Sequence, residues 1–289
     1  MIYEALLVVS ECLLSAYPLL IKLVDASIVF QTGLRMILYT VLGSIAIHAT
    51  GSAPVPFTTL FSSETILVGL MNLLHVGSSY TAFEQLAGGN AMALFYTYPV
   101  WNILGAATMF QETIPLLSIP WIGLSLLGAI LLAQPSPTHW TSIGVLAALT
   151  AAFTETGIYL WFRQHKAKDD QPWSKMIQMY GSSAFLWCIA ISVFACIGLL
   201  HADVFKVSMP GLLGILAFNS FIGFAGYALR FYIVPKVSTI VFSSLSFIGV
   251  FAAYGMGWLV TNETPNITQA LGALAIIVSN TVLLRREIV

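Results

Sequence analysis

The chain has 289 residues, of which 58% are hydrophobic and only 8% are charged, and its mean hydropathy is +0.89. Soluble domains carry about 25% charged residues, so this composition excludes a water-facing globular surface and leaves a lipid bilayer as the solvent. The formal net charge of −1 offers no basic surface to a nucleic acid, and we expect no such partner.

Ten apolar runs follow one another along the chain, each close to the roughly 20 residues that a transmembrane helix needs. Gly, Pro and Ser clusters separate several of them. Barrel strands would instead be alternating segments of about ten residues, so the sequence predicts an all-α membrane protein with ten transmembrane helices. The runs lie at about 2–22, 29–48, 64–83, 90–110, 115–133, 140–162, 174–200, 210–230, 237–261 and 266–284.

Basic residues predict the orientation of these helices. With ten spans, both termini and the loops after even-numbered spans share one side of the membrane. That side holds eight of the eleven basic residues: Arg163, Lys166, Lys168, Lys175, Arg230, Lys236, Arg285 and Arg286. The other side holds Lys22, Arg35 and Lys206. The positive-inside rule therefore puts both termini in the cytoplasm, and we favour the plasma (inner) membrane over an organelle.

The two halves of the chain resemble each other. A hydrophobic hairpin with an acidic tip occurs at 90–133, where the tip is Glu112, and again at 238–284, where it is Glu263. Glu11 precedes Lys22 by eleven residues, and Glu155 precedes Lys166 by the same spacing. Since five spans is an odd number, a second copy enters the membrane from the opposite side. We predict two inverted five-helix repeats, residues 1–137 and 138–289.

Several residues carry a resemblance to a known family. They are Arg35 early in the second run, the segment Leu94-Phe-Tyr-Thr-Tyr-Pro99-Val in the fourth, Glu112 after it, and Glu263 and Gly272 in the second half. These features resemble the drug/metabolite transporter superfamily, specifically its ten-helix EamA-type members, over nearly the whole chain. The resemblance implies alternating access and a central cavity lined mainly by helices 1, 3, 4, 6, 8 and 9, with helices 5 and 10 at the periphery.

Ionisable side chains inside the bilayer are the first candidates for a site, because placing Asp, Lys or Arg at the centre of a helix costs about 2.5–3.5 kcal/mol. Glu11 lies nine residues into the first run and Glu155 lies deep in the sixth. His75 is central in the third run, within a stripe of polar residues. For all three, the alternative is a structural hydrogen bond or ion pair between helices.

Other candidates to bind a substrate or a proton lie near helix ends or among aromatic residues: Tyr80, Glu84, Tyr98, Trp101 and Tyr227. Aromatic residues are also common in helix packing and at membrane interfaces. As a set, these could line a cavity for a flat or amphipathic solute. Arg35 and Arg230 are expected nearer the helix ends.

Four residues are predicted to be structural: Arg35, Pro99, Glu112 and Glu263. Pro99 breaks or bends the fourth helix, since neighbouring groups can satisfy the freed backbone. Glu112 and Glu263 sit in hairpin loops and are expected to cap the following helices. The sequence has no phosphate loop, metal-spaced His/Cys cluster or nucleophile–base pair, so we expect no metal, no cofactor and no enzymatic activity.

These observations predict a secondary transporter, and more specifically an exporter, of a small organic metabolite such as an amino acid or amine. Glu11 and Glu155 are expected to face one cavity and to exchange a proton for the cargo. Two alternatives remain open: an exchanger of nucleotide sugars or phosphorylated metabolites, and an integral membrane enzyme or non-transporting scaffold. A catalytic carboxylate–histidine arrangement among Glu11, His75 and Glu155 would favour the enzyme, whereas a water-filled cavity would favour transport.

Overall fold

The structure is a computed structural model that describes residues 2–86, 88–134, 140–165, 172–261 and 266–287. Within these ranges the regular structure is entirely helical, apart from one isolated bridge between Ala26 and Val207. The α-helices are α1 (Ile2–Leu14), α2 (Tyr17–Leu23), α3 (Ile28–Thr50), α4 (Ser63–Gln85), α5 (Gly88–Phe95), α6 (Tyr98–Met109), α7 (Ile119–Ala133), α8 (Ser142–Gln164), α9 (Trp173–Cys196), α10 (Met209–Ala217), α11 (Phe224–Ile233), α12 (Thr239–Ser246), α13 (Ile248–Thr261) and α14 (Ile267–Glu287).

Nine helical stretches of the described chain are long and apolar enough to cross a bilayer, with mean hydropathies from 1.3 to 2.2. They coincide with nine of the ten predicted runs. The prediction of an all-α, multi-pass integral membrane protein is confirmed at this level. Several of the nine combine two short helices end to end, as α1 and α2 do in the stretch Ile2–Ile21.

The fourth run is the exception, because it folds as the two short helices α5 and α6, of 8 and 12 residues. The break lies at Tyr96 and Thr97, and Pro99 is in the first turn of α6. Proline fits there because the first N–H groups of a helix have no partner within it. The Thr97 hydroxyl donates a hydrogen bond to the carbonyl of Leu94 (2.8 Å), which satisfies one carbonyl freed at the break.

Serine and threonine caps explain where several helices begin. Each cap accepts a hydrogen bond from the backbone N–H three residues later, at 3.1–3.3 Å. A cap of this kind contributes about 1 kcal/mol and satisfies a donor that hydrocarbon cannot. The capping residues are Ser27, Ser62, Thr141, Ser208 and Ser238, which precede α3, α4, α8, α10 and α12.

Helices from the first half pack extensively on helices from the second half. The main pairs are α4 with α8, α7 with α14, α3 with α9, α4 with α9, and α1 with α11. In the pair of α7 and α14 the two backbones touch at Gly128 and Gly272. A Cβ atom on Gly128 would lie 2.8 Å from the carbonyl oxygen of Gly272, and one on Gly272 would lie 2.7 Å from that of Gly128. Small residues allow this close approach, which is typical of membrane helix pairs.

Four helical interruptions lie well inside the predicted runs. Helices α1 and α2 are separated at Ser15 and Ala16, α5 and α6 at 96–97, and α12 and α13 at Phe247. The fourth is a π-helical segment, Phe218–Gly223, between α10 and α11. Irregular backbone at membrane depth is tolerated where protein covers it or where it lines a cavity. These breaks are therefore expected to lie against other helices or a cavity at the centre of the molecule.

Candidate functional site

A cavity of about 40 Å³ lies at the centre of the bundle, among the helix interruptions. By the space that one water molecule occupies, it has room for roughly three waters. Residues at two of the interruptions, Ser15 and Tyr96, line it. Two separate sets of charged side chains also line it. One is a cluster around Arg230, and the other is the guanidinium of Arg35 alone.

The first group is an ion-pair cluster in which one guanidinium serves two carboxylates. Arg230 Nη1 lies 2.9 Å from Glu11 Oε1, and Arg230 Nη2 lies 2.7 Å from Glu155 Oε1. Ser246 donates a weaker hydrogen bond to Glu11 Oε1 (3.3 Å). The three charged residues are at most 5% exposed. With both carboxylates ionised the three would carry a net charge of −1, and an uncompensated buried charge is costly.

His75 extends this cluster. Its Nδ1 is 3.1 Å from the carbonyl oxygen of Ala151, and since a carbonyl only accepts hydrogen bonds, Nδ1 carries the hydrogen. Its Nε2 lies 3.4 Å from Glu155 Oε2. A single proton held between these two atoms would bring the summed charge of Glu11, Glu155, His75 and Arg230 to zero.

The second group is Arg35, enclosed by four tyrosine rings that we call the tyrosine cage: Tyr17, Tyr39, Tyr80 and Tyr227. Its Cζ lies 4.6 Å from the ring centres of Tyr17 and Tyr227, 5.4 Å from that of Tyr39 and 5.9 Å from that of Tyr80. Aromatic faces attract a cation, by 2 kcal/mol or more when water is excluded. Arg35 is 1% exposed, and none of the ion pairs within the described ranges includes it.

The π-helical segment holds two of the cage tyrosines in place. The hydroxyls of Tyr17 and Tyr39 are 2.5 Å apart, and both lie within hydrogen-bond distance of Oδ1 of Asn219, at 3.0 and 3.3 Å. Since each hydroxyl has one hydrogen, one donates to Asn219 and the other donates to its neighbouring hydroxyl. Gly223 leaves the space these hydroxyls need, since a Cβ there would lie 2.1 Å from the Tyr39 oxygen and 2.2 Å from the Tyr17 oxygen. π-Helical turns are frequent at functional sites, and this one orients the cage.

Six of the eight predicted binding residues line the central cavity: Glu11, His75, Tyr80, Tyr98, Glu155 and Tyr227. The structure does not bring the other two to it. Glu84 is exposed in the last turn of α4 and accepts a hydrogen bond from the neighbouring Gln85. Trp101 is half-buried, stacks on Phe153 and donates to the hydroxyl of Thr97.

Although the sequence places Arg35 and Arg230 nearer the helix ends, both side chains are buried and line the cavity. Arg230 is three residues from the end of α11, but its long side chain extends inward to the two carboxylates. Tyr17, on α2, was not a candidate from the sequence, although it contacts Arg35. The cavity is lined from the first, second, third, fourth, sixth and eighth runs. The ninth run instead contacts the lining side chains, through Ser246 at Glu11 and Phe242 at Arg230.

Of the four residues predicted to be structural, Arg35 lines the central cavity, Pro99 lies in the first turn of α6 as described above, and Glu263 lies outside the described residues. Glu112 does not cap a helix but pairs with Arg163, whose Nε donates to Glu112 Oε1 (2.7 Å). The same guanidinium donates to the carbonyls of Val234 (3.2 Å) and Val237 (2.9 Å). Arg163 thereby connects the loop after α6, the end of α8 and the loop after α11.

Comparisons with known proteins bear on the fold alone. No protein-family model matches the sequence, and no curated protein matches it. Solved structures do match, in 29 chains. One of them, described only as "Crystal structure of protein", has a TM-score of 0.76 and 16% sequence identity, over 97% of this chain and 96% of that chain. The fold is shared over nearly the whole length.

Proposed function

We propose that the chain is a secondary transporter of a small organic solute, in which the proton shared by His75 and Glu155 is exchanged for the cargo. The observation that carries the proposal is the cluster of two carboxylates, one guanidinium and one imidazole on the wall of a central cavity, at the level where helices are interrupted. Ionisable groups at this depth mark solute pathways and proton relays, and transporters place their sites at such broken helices.

Hydrogen bonds and ion pairs between loops support ten spans, with α5 and α6 together forming the fourth. Numbering the spans by the predicted runs, contacts join even loops to even loops: Arg163 with Glu112, and His165 with Glu64. Other contacts join odd loops to odd loops: Ser27 with the carbonyl of Val204, Thr141 with the carbonyl of Gln85, and Gln134 with Asn266. If any single one of runs 2 to 9 failed to cross, at least one of these pairs would be separated by the membrane.

Helix packing supports the inverted repeat. In two five-helix repeats, span n corresponds to span n + 5. The third span packs on the sixth (α4 on α8), and the corresponding contact, of the eighth with the first, is α11 on α1. The second and fifth spans pack on their own counterparts, as α3 on α9 and α7 on α14. This pattern fits the drug/metabolite transporter superfamily, to which we propose the chain belongs.

The basic residues support cytoplasmic termini. Removing the buried Arg230 and Arg35 from the sequence count leaves seven basic residues (8 − 1) on the side of the termini and two (3 − 1) on the other. The bias therefore becomes steeper once only residues outside the cavity are counted. We propose a plasma-membrane protein with both termini in the cytoplasm.

The geometry suggests how proton and cargo exclude each other. When the cavity is empty, the proton between His75 and Glu155 keeps the cluster neutral. An ammonium group beside Glu155 supplies the same positive charge, so the proton is no longer needed there and leaves. Because one positive charge replaces the other, inward proton movement drives the cargo outward, which makes the transporter an exporter.

The alternative of a membrane enzyme rests on the carboxylate–histidine pair of Glu155 and His75, which does exist. The serine hydroxyls that line the cavity do not complete a catalytic arrangement. Ser15 donates to the carbonyl of Cys12 (2.7 Å) and Ser79 to that of Val76 (3.0 Å), so neither is oriented by the imidazole. The pair is thus better suited to holding a proton than to activating a nucleophile.

A second candidate function, exchange of nucleotide sugars or phosphorylated metabolites, is favoured by one observation, the unpaired guanidinium of Arg35 in the cavity. Anionic cargo needs basic groups, and this is the basic group that the described acidic residues leave uncompensated.

The test is transport by purified protein in liposomes that enclose a pH-sensitive dye. Cargo is first sought by thermal shift among amino acids, amines, nucleotide sugars and sugar phosphates, because a ligand of the folded state raises its apparent stability. We expect a bound amino acid or amine to move protons in the opposite direction. Glu11→Gln and Glu155→Gln should each abolish proton-driven transport, with cargo–cargo exchange partly retained in at least one. The exposed Glu84→Gln is the matched control. Full proton coupling in the Glu11→Gln/Glu155→Gln double variant would refute the proposal.

A further inference from the structure

We infer that Arg35 and the tyrosine cage form a binding site for a carboxylate group, so that the central cavity accepts zwitterionic solutes that carry a carboxylate at one end and an ammonium at the other. The identification of that solute as transported cargo rests on the proposed function, whereas the carboxylate site itself does not.

The free edge of the Arg35 guanidinium is the first argument. Nη1 makes a long hydrogen bond to the Tyr80 hydroxyl (3.4 Å). Nε and Nη2 are buried and pair with none of the described carboxylates, and their neighbouring acceptor is the buried hydroxyl of Tyr180. Nε and Nη2 lie on one side of the planar guanidinium, and their N–H bonds point the same way. Two parallel donors are the arrangement that binds both oxygens of a carboxylate.

The contrast with Arg230 is the second argument. Both arginines are buried, and both face aromatic rings, which for Arg230 are those of Tyr98 and Phe242. Arg230 has two carboxylate partners, as a buried cation in a membrane requires. Arg35 has none among the described residues, so a purely structural role leaves its charge uncompensated. A bound anion supplies what the protein provides for Arg230.

The charges along the cavity wall favour a zwitterion. Without its shared proton the cluster of Glu11, Glu155, His75 and Arg230 carries −1, and Arg35 carries +1. A solute with one carboxylate and one ammonium neutralises both ends. A phosphate monoester brings a charge of −1.5 to −2 at neutral pH, which the single free guanidinium does not balance. The cavity chemistry therefore selects a carboxylate over a phosphate.

The test measures binding of three small probes: acetate, methylammonium and glycine, which combines the two charged groups. Purified full-length protein in detergent is titrated with each probe at constant ionic strength, with melting temperature as the readout. We expect acetate to stabilise the protein, and glycine to do so at a concentration at least tenfold lower. Inorganic phosphate is titrated in parallel.

Substitutions then assign the site. Arg35→Gln should weaken acetate binding at least tenfold and reduce glycine to the affinity of methylammonium. Arg35→Lys, which keeps the charge but not the paired donors, should retain weakened acetate binding. The exposed cation Lys206 is the control, and Lys206→Gln should bind acetate as the wild type does.

Three results would overturn the inference. The first is that acetate does not stabilise the wild type, a result that decides the question even if Arg35→Gln does not fold. The second is that Arg35→Gln binds acetate as tightly as the wild type does. The third is that phosphate binds more tightly than acetate, which would assign the site to phosphorylated solutes. Acetate binding does not depend on transport, so it can persist in a protein that moves no protons. The failure of the transport proposal is thus distinguishable from the failure of this one.

Discussion

Removing the positive charge of Arg230 should destabilise the protein far more than removing either negative charge beside it. Arg230→Met replaces the guanidinium with an unbranched apolar side chain and leaves Glu11 and Glu155 buried without a cation. Breaking a buried ion pair by removing one partner costs about 3–5 kcal/mol. Glu11→Gln, by contrast, leaves Arg230 paired one-to-one with Glu155, and the amide oxygen can still accept from Arg230. We expect its cost to stay within about 1 kcal/mol.

The pH dependence of Arg230→Met follows from the same charges. Lowering the pH protonates the two carboxyl groups and removes the buried negative charge, so the loss of stability should shrink toward acid and grow toward alkaline pH. Adding Glu11→Gln and Glu155→Gln to Arg230→Met removes every charge of the triad at once. Replacing a whole buried charge cluster by neutral groups is often tolerated, so this triple variant should recover most of the lost stability.

The assay is equilibrium unfolding of the purified variants in mixed detergent micelles, followed by circular dichroism at two pH values. The reasoning is refuted if Glu11→Gln alone costs as much as Arg230→Met, or if the triple variant is no more stable than Arg230→Met. Either result would mean that Arg230 stabilises the bundle by packing rather than by compensating two carboxylates.

Three further predictions concern other parts of the chain. Gly223→Ala should cost about 1–3 kcal/mol by overpacking against two tyrosine hydroxyls, whereas Gly77→Ala, with open space around it, should be neutral or slightly stabilising in thermal unfolding. Arg163→Gln should lower the melting temperature more than Glu112→Gln, because it also leaves two backbone carbonyls without a donor. Glu112→Gln should lower the melting temperature modestly and leave transport near normal. Abolished transport with normal stability would instead give Glu112 a role in transport. Reporter fusions after the C-terminus and within 202–208 should read opposite sides of the membrane, and the same side for both would contradict ten spans.

The sequence was sufficient for the spanning helices because their signal is length and apolar content, which do not depend on partners. It was insufficient for the fourth run, where Pro99 fits a break as well as a bend, and only the surrounding contacts decide between them. Glu11, Glu155 and His75 were identifiable because an ionisable group in hydrocarbon faces the protein interior.

The depth of the arginines was not predictable from residue counts. An arginine near the end of a helix can extend toward water or toward the interior, and the sequence does not say which. Arg35 in fact has no acidic residue three or four positions away on its own helix, which was a signal that its partner lies elsewhere. Tyr17 carried no such signal, because a tyrosine next to a proline near a helix end is ordinary.

The backbone contact between Gly128 and Gly272 has a mechanical consequence. Sliding α7 along α14 by one residue, about 1.5 Å, would force Leu127 or Ala129 against the opposite carbonyl, so this pair resists relative displacement. Ser125 and Ser279, bonded at 2.6 Å, fix the same contact. Neither helix lines the cavity. In the transporter proposed above, the pair is therefore suited to be the stationary part about which the cavity-lining helices would move. A distance measured between spin labels across it should then stay constant while distances across the cavity change.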